Sequence, residues 1–136
     1  MIRLQLTELS QEEYGQIFSE GFGEYNGEIP QSVFLVFDGD KRIGFCSVYV
    51  HSRGNLYLQS IAFAKDVEAE KKYGYYIETL KALHDLGYPF IMGAISNKNK
   101  PALIWALRSG FEINGIRQAT NGEMFVEVLH KGEVST

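Results

Sequence analysis

A chain of 136 residues, 45% hydrophobic and 22% charged, has the size and composition of one globular domain spanning 1–136, with apolar material enough for a core that needs no disulfide or structural metal. A net charge of −4, with no basic cluster beyond Lys71 and Lys72, argues against a nucleic-acid binder, and no apolar run approaches the ~20 residues of a membrane-spanning helix. The single cysteine, Cys46, rules out an internal disulfide and the N-terminus lacks a signal peptide's apolar stretch, so a reducing cytoplasm is the expected location.

Alternation of apolar and polar residues predicts a first strand over Ile2 to Leu6. A helix is predicted next: Ser10 and Glu13 form a capping box, Leu9 and Tyr14 a hydrophobic staple, and Tyr14, Ile17, Phe18 and Phe22 one apolar face. Gly21 to Pro30 reads as a loop. Val33 to Phe37 and Arg42 to His51 are predicted strands joined at Asp38-Gly39, a strong hairpin signal. Ser52 to Asn55 turns the chain into a further strand, Leu56 to Phe63.

Beyond Phe63 the chain turns polar up to Gly74, which is expected to sit where a helix begins. Ile77, Leu80 and Leu83 repeat at helical spacing, and Gly87 and Pro89 end that helix. Phe90 to Ile95 reads as a buried strand. Pro101 fits the first turn of another helix, closed by Gly110. Phe111 to Arg117 and Met124 to His130 are two more strands, with Asn121-Gly122 in the turn between. The order β-α-β-β-β-α-β-α-β-β predicts a mixed α/β sheet of six or seven strands in which an antiparallel meander passes into a parallel crossover between Leu56 and Ile95. Ligands of open α/β sheets collect outside the carboxyl ends of parallel strands, which draws attention to that crossover.

The segment from Leu58 to Leu83 has the parts of a phosphate site: a strand, two lysines, a glycine and a helix start with free N–H donors. It is equally well read as a turn glycine beside a solvated lysine loop, and no GxxxxGK[ST] pattern exists in the chain. Asn99 suits a helix cap as well as a ligand contact.

Lys71-Lys72-Tyr73-Gly74-Tyr75-Tyr76 resembles the pyrophosphate loop of the GNAT acyl-CoA N-acyltransferase superfamily, Gln/Arg-x-x-Gly-x-Gly/Ala. Asn99, Ala102, Gly110 and Phe111 fall in register with that superfamily's C-terminal motif, and with the element order the resemblance covers the whole chain. It implies the GNAT fold and acetyl-CoA as acyl donor, held by Ile61, Ala62 and Phe63 on the strand, by Lys71 to Tyr76 on the loop and by Asn99 and Ala102. It also implies direct attack of a primary amine, on a small molecule or a protein, on the thioester carbonyl, polarised by a backbone N–H near Ile61 to Phe63.

Two departures from the family pattern stand out. Tyr76 replaces a small residue, and Ala106 replaces the tyrosine that protonates the leaving thiolate. Tyr57, Tyr73, Tyr75 and Tyr76 are the alternative phenols, with Gln59 and Ser60 as polar or water-positioning groups on the strand. By the same resemblance Glu20, Glu24 and Glu28 border the acceptor site, where a cationic amine would be attracted. A GNAT-fold protein without catalysis, binding an acyl-CoA or a protein partner and similar to some phage-encoded members, is the alternative. Monomer and homodimer are both compatible with the sequence. His51, His84 and His130 lack metal-ligand spacing, and Cys46 beside Phe45 reads as core.

Overall fold

The computed structural model of the chain describes residues 2–7, 12, 32–50 and 55–132. The helix expected from Ser10, the loop to Pro30, His51 and the acidic residues Glu20, Glu24 and Glu28 lie outside the described residues. Within them run β1 (Ile2–Thr7), β2 (Ser32–Asp38), β3 (Lys41–Val50), β4 (Leu56–Phe63), α1 (Ala69–Asp85), β5 (Phe90–Ser96), α2 (Lys100–Arg108), β6 (Glu112–Gln118) and β7 (Met124–Lys131). All seven strands join one sheet in the order β1-β2-β3-β4-β5-β7-β6. Only β4 and β5 run parallel; every other neighbouring pair is antiparallel. The mixed sheet expected from the sequence is therefore present.

The hairpin between β2 and β3 turns one residue later than the sequence suggested. Asp38 pairs with Lys41, which leaves Gly39 and Asp40 as the turn, and Gly39 takes φ 63°, where a side chain is disfavoured. A larger difference concerns α1. It starts at Ala69 rather than at Gly74, with Glu68 as its N-cap residue, and Gly74 sits in its second turn. The reason is local: Ala69, Glu70, Lys71 and Lys72 are strong helix formers, and together they outweigh one glycine, which costs about 1 kcal/mol in a helix. Val67, 7% exposed, is buried in the core just before the helix and fixes its point of entry. The polar stretch between Phe63 and Gly74 is thus a short connection followed by an extra helical turn.

The core forms where α1 and α2 lie on the sheet. Tyr76, Leu80 and Leu83 follow one another at helical spacing on the buried face of α1, against Leu56, Ile91 and Val128 of the sheet and Ala106 of α2. Full burial of each leucine is worth roughly 1.5–3 kcal/mol. Cys46, also in this core, has its thiol pKa pushed up to about 12 by burial, so it is an inert packing residue, as its place beside Phe45 suggested. Past Arg108, Gly110 adopts φ 98° and ends α2, which a residue with a side chain would do only under strain.

Two histidines far apart in sequence pin the C-terminal end of α1 to the sheet. His84 Nε2 lies 2.7 Å from His130 Nδ1 on β7, while His84 Nδ1 meets the Tyr88 carbonyl at 2.8 Å and His130 Nε2 the Ser109 carbonyl at 2.9 Å. Carbonyl oxygens only accept, so a ring nitrogen that bonds one is the donor. Burial, and then the neighbouring His84, pull the His130 pKa down.

Candidate functional site

The parallel ladder between β4 and β5 holds Leu56↔Ile91 and Tyr57↔Met92 and stops there. From Leu58 and Gly93 onward the two strands diverge, and their facing backbone edges border a gap in the sheet. A bulge marks the same place. Val48 pairs with Leu58 but Ser47 with Ser60, so Gln59 is an extra residue in β4, and the strand bends where the gap opens. Nothing is described for the Gln59 side chain; its backbone forms the bulge.

A cavity of about 280 Å³ occupies this gap on the helix-bearing face. β4 contributes Leu58, Ser60 and Ile61 to its wall, β5 contributes Gly93 to Ser96, and α2 contributes Ala102, Trp105 and Ala106, with Asn99 at its rim. Tyr76 of α1, Phe111 and Val128 of β7 complete it. Asn99 is the N-cap residue of α2, where its Oδ1 accepts from the Ala102 N–H at 3.3 Å. Small residues at Gly93, Ala94, Ala102 and Ala106 keep the cavity open between two layers that otherwise pack tightly.

The four phenols considered in the sequence separate cleanly. Tyr75 leaves the cavity and donates to Asp38 Oδ2 at 2.8 Å, an interaction that raises its own pKa and lowers that of Asp38. Tyr57 faces the other side of the sheet. Tyr73 packs against Trp105 with ring centroids 5.6 Å apart, and the Arg108 guanidinium lies 4.6 Å over its ring. Only Tyr76, of these four, lines the cavity. It is 8% exposed, its ring is 5.4 Å from Trp105, and Ser109 Oγ lies 3.2 Å from its hydroxyl; burial raises its pKa.

Tyr76 and Ala106 are therefore neighbours. Ser109 Oγ contacts both the Tyr76 hydroxyl and, at 2.9 Å, the Ala106 carbonyl. A large residue on α1, where the resemblance expects a small one, and a small residue on α2, where it expects a tyrosine, meet at one cavity.

The remaining predicted residues fall into two groups. Ser60 and Ile61 line the cavity, the Ser60 hydroxyl bonding Ser47 at 3.3 Å, whereas Ala62 packs against Val33 and Phe45, and Phe63 is buried beside Tyr75. Lys71, Lys72 and Gly74 lie in the first turns of α1, outside the cavity wall. Lys71 Nζ is 3.8 Å from Glu68, and a Cβ placed on Gly74 would meet nothing within 4 Å, so Gly74 stands on an open surface.

Sequence reasoning missed the opposite face. There a hollow of about 220 Å³ is lined by Tyr57, Met92, Asn114, Arg117 and Glu127. Gly93 and Val128 border both spaces, so the two approach each other through the thinnest part of the sheet. Glu127 is the carboxylate of this hollow and is held only loosely, with Arg117 Nε at 3.9 Å. Period-two alternation in β7 puts Glu127 opposite the face of Val126 and Val128, but only the sheet order brings it to the gap.

No family model and no curated protein matches the sequence. Solved structures do match in fold. A GNAT family acetyltransferase from Elizabethkingia anophelis with acetyl-CoA bound superimposes with TM-score 0.63 at 14% identity, over 96% of this chain and 97% of that one. The ribosomal-protein-S18-alanine N-acetyltransferase of Escherichia coli gives 0.66 at 15% identity, over 98% and 97%. An acetyltransferase from Bacillus subtilis in complex with CoA gives 0.65 at 14% identity, over 96% and 99%. The seven-stranded sheet, its divergent parallel pair and its two flanking helices are the GNAT fold.

Proposed function

We propose that the chain is a single-domain, cytoplasmic N-acetyltransferase that passes the acetyl group of acetyl-CoA directly to a primary amine. The observation that carries this reading is the gap between β4 and β5: a bulge at Gln59, an open backbone edge and an apolar cavity occur together where a thioester would lie. The cofactor's pantetheine arm enters the cavity beside Asn99 and Ala102, and its pyrophosphate rests at the N-terminal turn of α1, where the helix begins at Ala69 and Lys71 and Lys72 add charge, with Gly74 one turn further on.

The amine reaches the thioester from the opposite hollow, drawn by the carboxylate of Glu127 and by Glu20, Glu24 and Glu28. Deprotonated through water by a carboxylate, its nitrogen attacks the carbonyl carbon. The oxyanion that forms is stabilised by a backbone N–H on the open edge of β4, in the Ile61 to Phe63 stretch. As the tetrahedral intermediate collapses its nitrogen gives a proton to water and the C–S bond breaks, and Tyr76, the phenol on the cavity wall, hands its proton to the departing thiolate and is restored from solvent. Tyr57, Tyr73, Gln59 and Ser60 take positioning roles.

Thermal unfolding with saturating acetyl-CoA, with adenosine monophosphate as control, tests the cofactor site. Ligand at ~100 times its Kd adds about 2.7 kcal/mol, several degrees in midpoint. A panel of amines, read by release of free thiol, then tests transfer. Ala106, in the place of the family's tyrosine, favours a second reading, an acyl-CoA-binding module without catalysis. A thermal shift with every amine at background thiol release would establish that reading instead.

A further inference from the structure

Four of the large apolar side chains exposed on this molecule lie on two consecutive elements. Ile104 and Leu107 of α2 are 55% and 51% exposed; Ile113 and Ile116 of β6 are 54% and 68% exposed. Among the described residues β6 is also the last strand of the sheet, with β7 on one side and no strand on the other. Edges of this kind are ordinarily blunted, because they invite pairing with another strand. Here the edge displays isoleucines, and their arrangement fits one specific occupant.

β6 carries a bulge at Asn114: Ile113 pairs with Val128, but Gly115 pairs with Glu127. The bulge shifts the alternation of side chains by one. As a result Ile113 and Ile116, three residues apart, share the face of Val128 and Val126, and Glu112 and Arg117 share the face of Leu129, Glu127 and Phe125. In a regular strand each of these pairs would be split between faces.

A second copy of β6, laid antiparallel along the open edge about a two-fold axis between Asn114 and Gly115, then meets the first in a matched register. Ile113 opposes Ile116 on one face, and Glu112 opposes Arg117 on the other. Each match occurs twice by symmetry. Asn114 opposes Gly115 at the axis, where one side has no side chain and the strands approach freely. Apolar and opposite-charge pairs across antiparallel strands are the stabilising ones. The groups that now face the two charges leave them available, since Lys131 lies 3.7 Å from Glu112 and Glu127 3.9 Å from Arg117, all on exposed side chains.

We infer that the β6 edge is a self-complementary interface through which two copies of this chain form a two-fold dimer with one continuous sheet.

Sedimentation equilibrium of the purified chain and three variants tests this. The wild-type chain is expected at twice its mass of 15.4 kDa. Glu112→Arg and Arg117→Glu each oppose like charges and are expected at the single-chain mass, while an equimolar mixture of the two regains the double mass, because each then supplies the charge the other lacks. Ile116→Lys, at a side chain so exposed that folding is unaffected, is expected at the single-chain mass with an unchanged circular dichroism spectrum. A monomeric wild-type chain overturns the inference. So does a dimer that survives Ile116→Lys, or a pair of charge variants that stay monomeric when mixed.

Discussion

The exchange of sizes between Tyr76 and Ala106 makes a quantitative prediction. Tyr76 is 8% exposed in the core, so Tyr76→Ala alone leaves a cavity and should cost about 3–5 kcal/mol, the range for truncating large buried aromatics. Ala106 is 1% exposed and lines the cavity beside Tyr76 and Trp105, so Ala106→Tyr alone sets a second large ring against theirs and should cost about 1–3 kcal/mol. Independent sites would add these losses and bring a chain of ordinary stability, roughly 5–15 kcal/mol, near unfolding. The double variant instead moves one side chain's volume from α1 to α2. Its loss should therefore fall short of the sum by about 2 kcal/mol or more, a coupling typical of residues in contact. Urea unfolding followed by the fluorescence of Trp105, the chain's one tryptophan and a neighbour of Tyr76, reads all four proteins in one assay. Additivity within ~0.5 kcal/mol would refute the shared volume. The same double variant places a phenol on α2 at the position of the family's acid, and under the proposed chemistry it should release thiol faster than Tyr76→Ala.

Gly74→Ala should raise stability by up to ~1 kcal/mol, because the glycine is inside a helix with open space about it, whereas Gly74→Trp should fold but abolish the acetyl-CoA thermal shift if the pyrophosphate lies there. Gly44→Ala should be among the harshest single changes in the sheet, costing about 3 kcal/mol in a denaturant titration, because a Cβ there runs into the Ala62 carbonyl of the neighbouring strand. His130 has its pKa lowered by burial, so the unfolded chain binds this proton more readily; the stability it confers is complete above the ordinary value of 6.5 and is lost as pH falls through the lower native one. The unfolding midpoint should thus drop between pH 8 and pH 5, and the drop should shrink in His130→Gln.

Much of this was legible in the amino-acid order because strands and turns declare themselves locally. Alternation set out β1, and Gly110 and Asn121-Gly122 marked the chain reversals that the structure contains. α1 was misjudged at its start because a glycine reads as punctuation, yet five residues on its N-terminal side had helix propensity enough to carry through it. The bulge at Gln59 had no signal at all: it contains no glycine and arises from how β4 must bend between an antiparallel and a diverging parallel neighbour. The hollow with Glu127, the His84–His130 pair and the contact of Tyr75 with Asp38 join residues far apart along the chain, and only the sheet order brings them together.

The pairing of Tyr76 with Ala106 illustrates how a chain can hold this fold while departing from a motif it otherwise resembles. Each residue taken alone is a departure: a bulky side chain where a helix should leave room, and a methyl where a phenol belongs. Taken together they conserve what packing responds to, the summed volume between α1 and α2, and they leave one phenol on the wall of the same cavity. Selection on a close-packed interior acts on such sums, so a core can exchange its large and small members between elements while the backbone stays in place. The retained features are those the gap itself needs, a cap at Asn99, small residues at Gly93 and Ala102, and a β4 edge left unpaired. A site built from backbone and from small residues depends less on side-chain identity than one built from charged side chains, and the chain shares this architecture with structures at 14–15% identity.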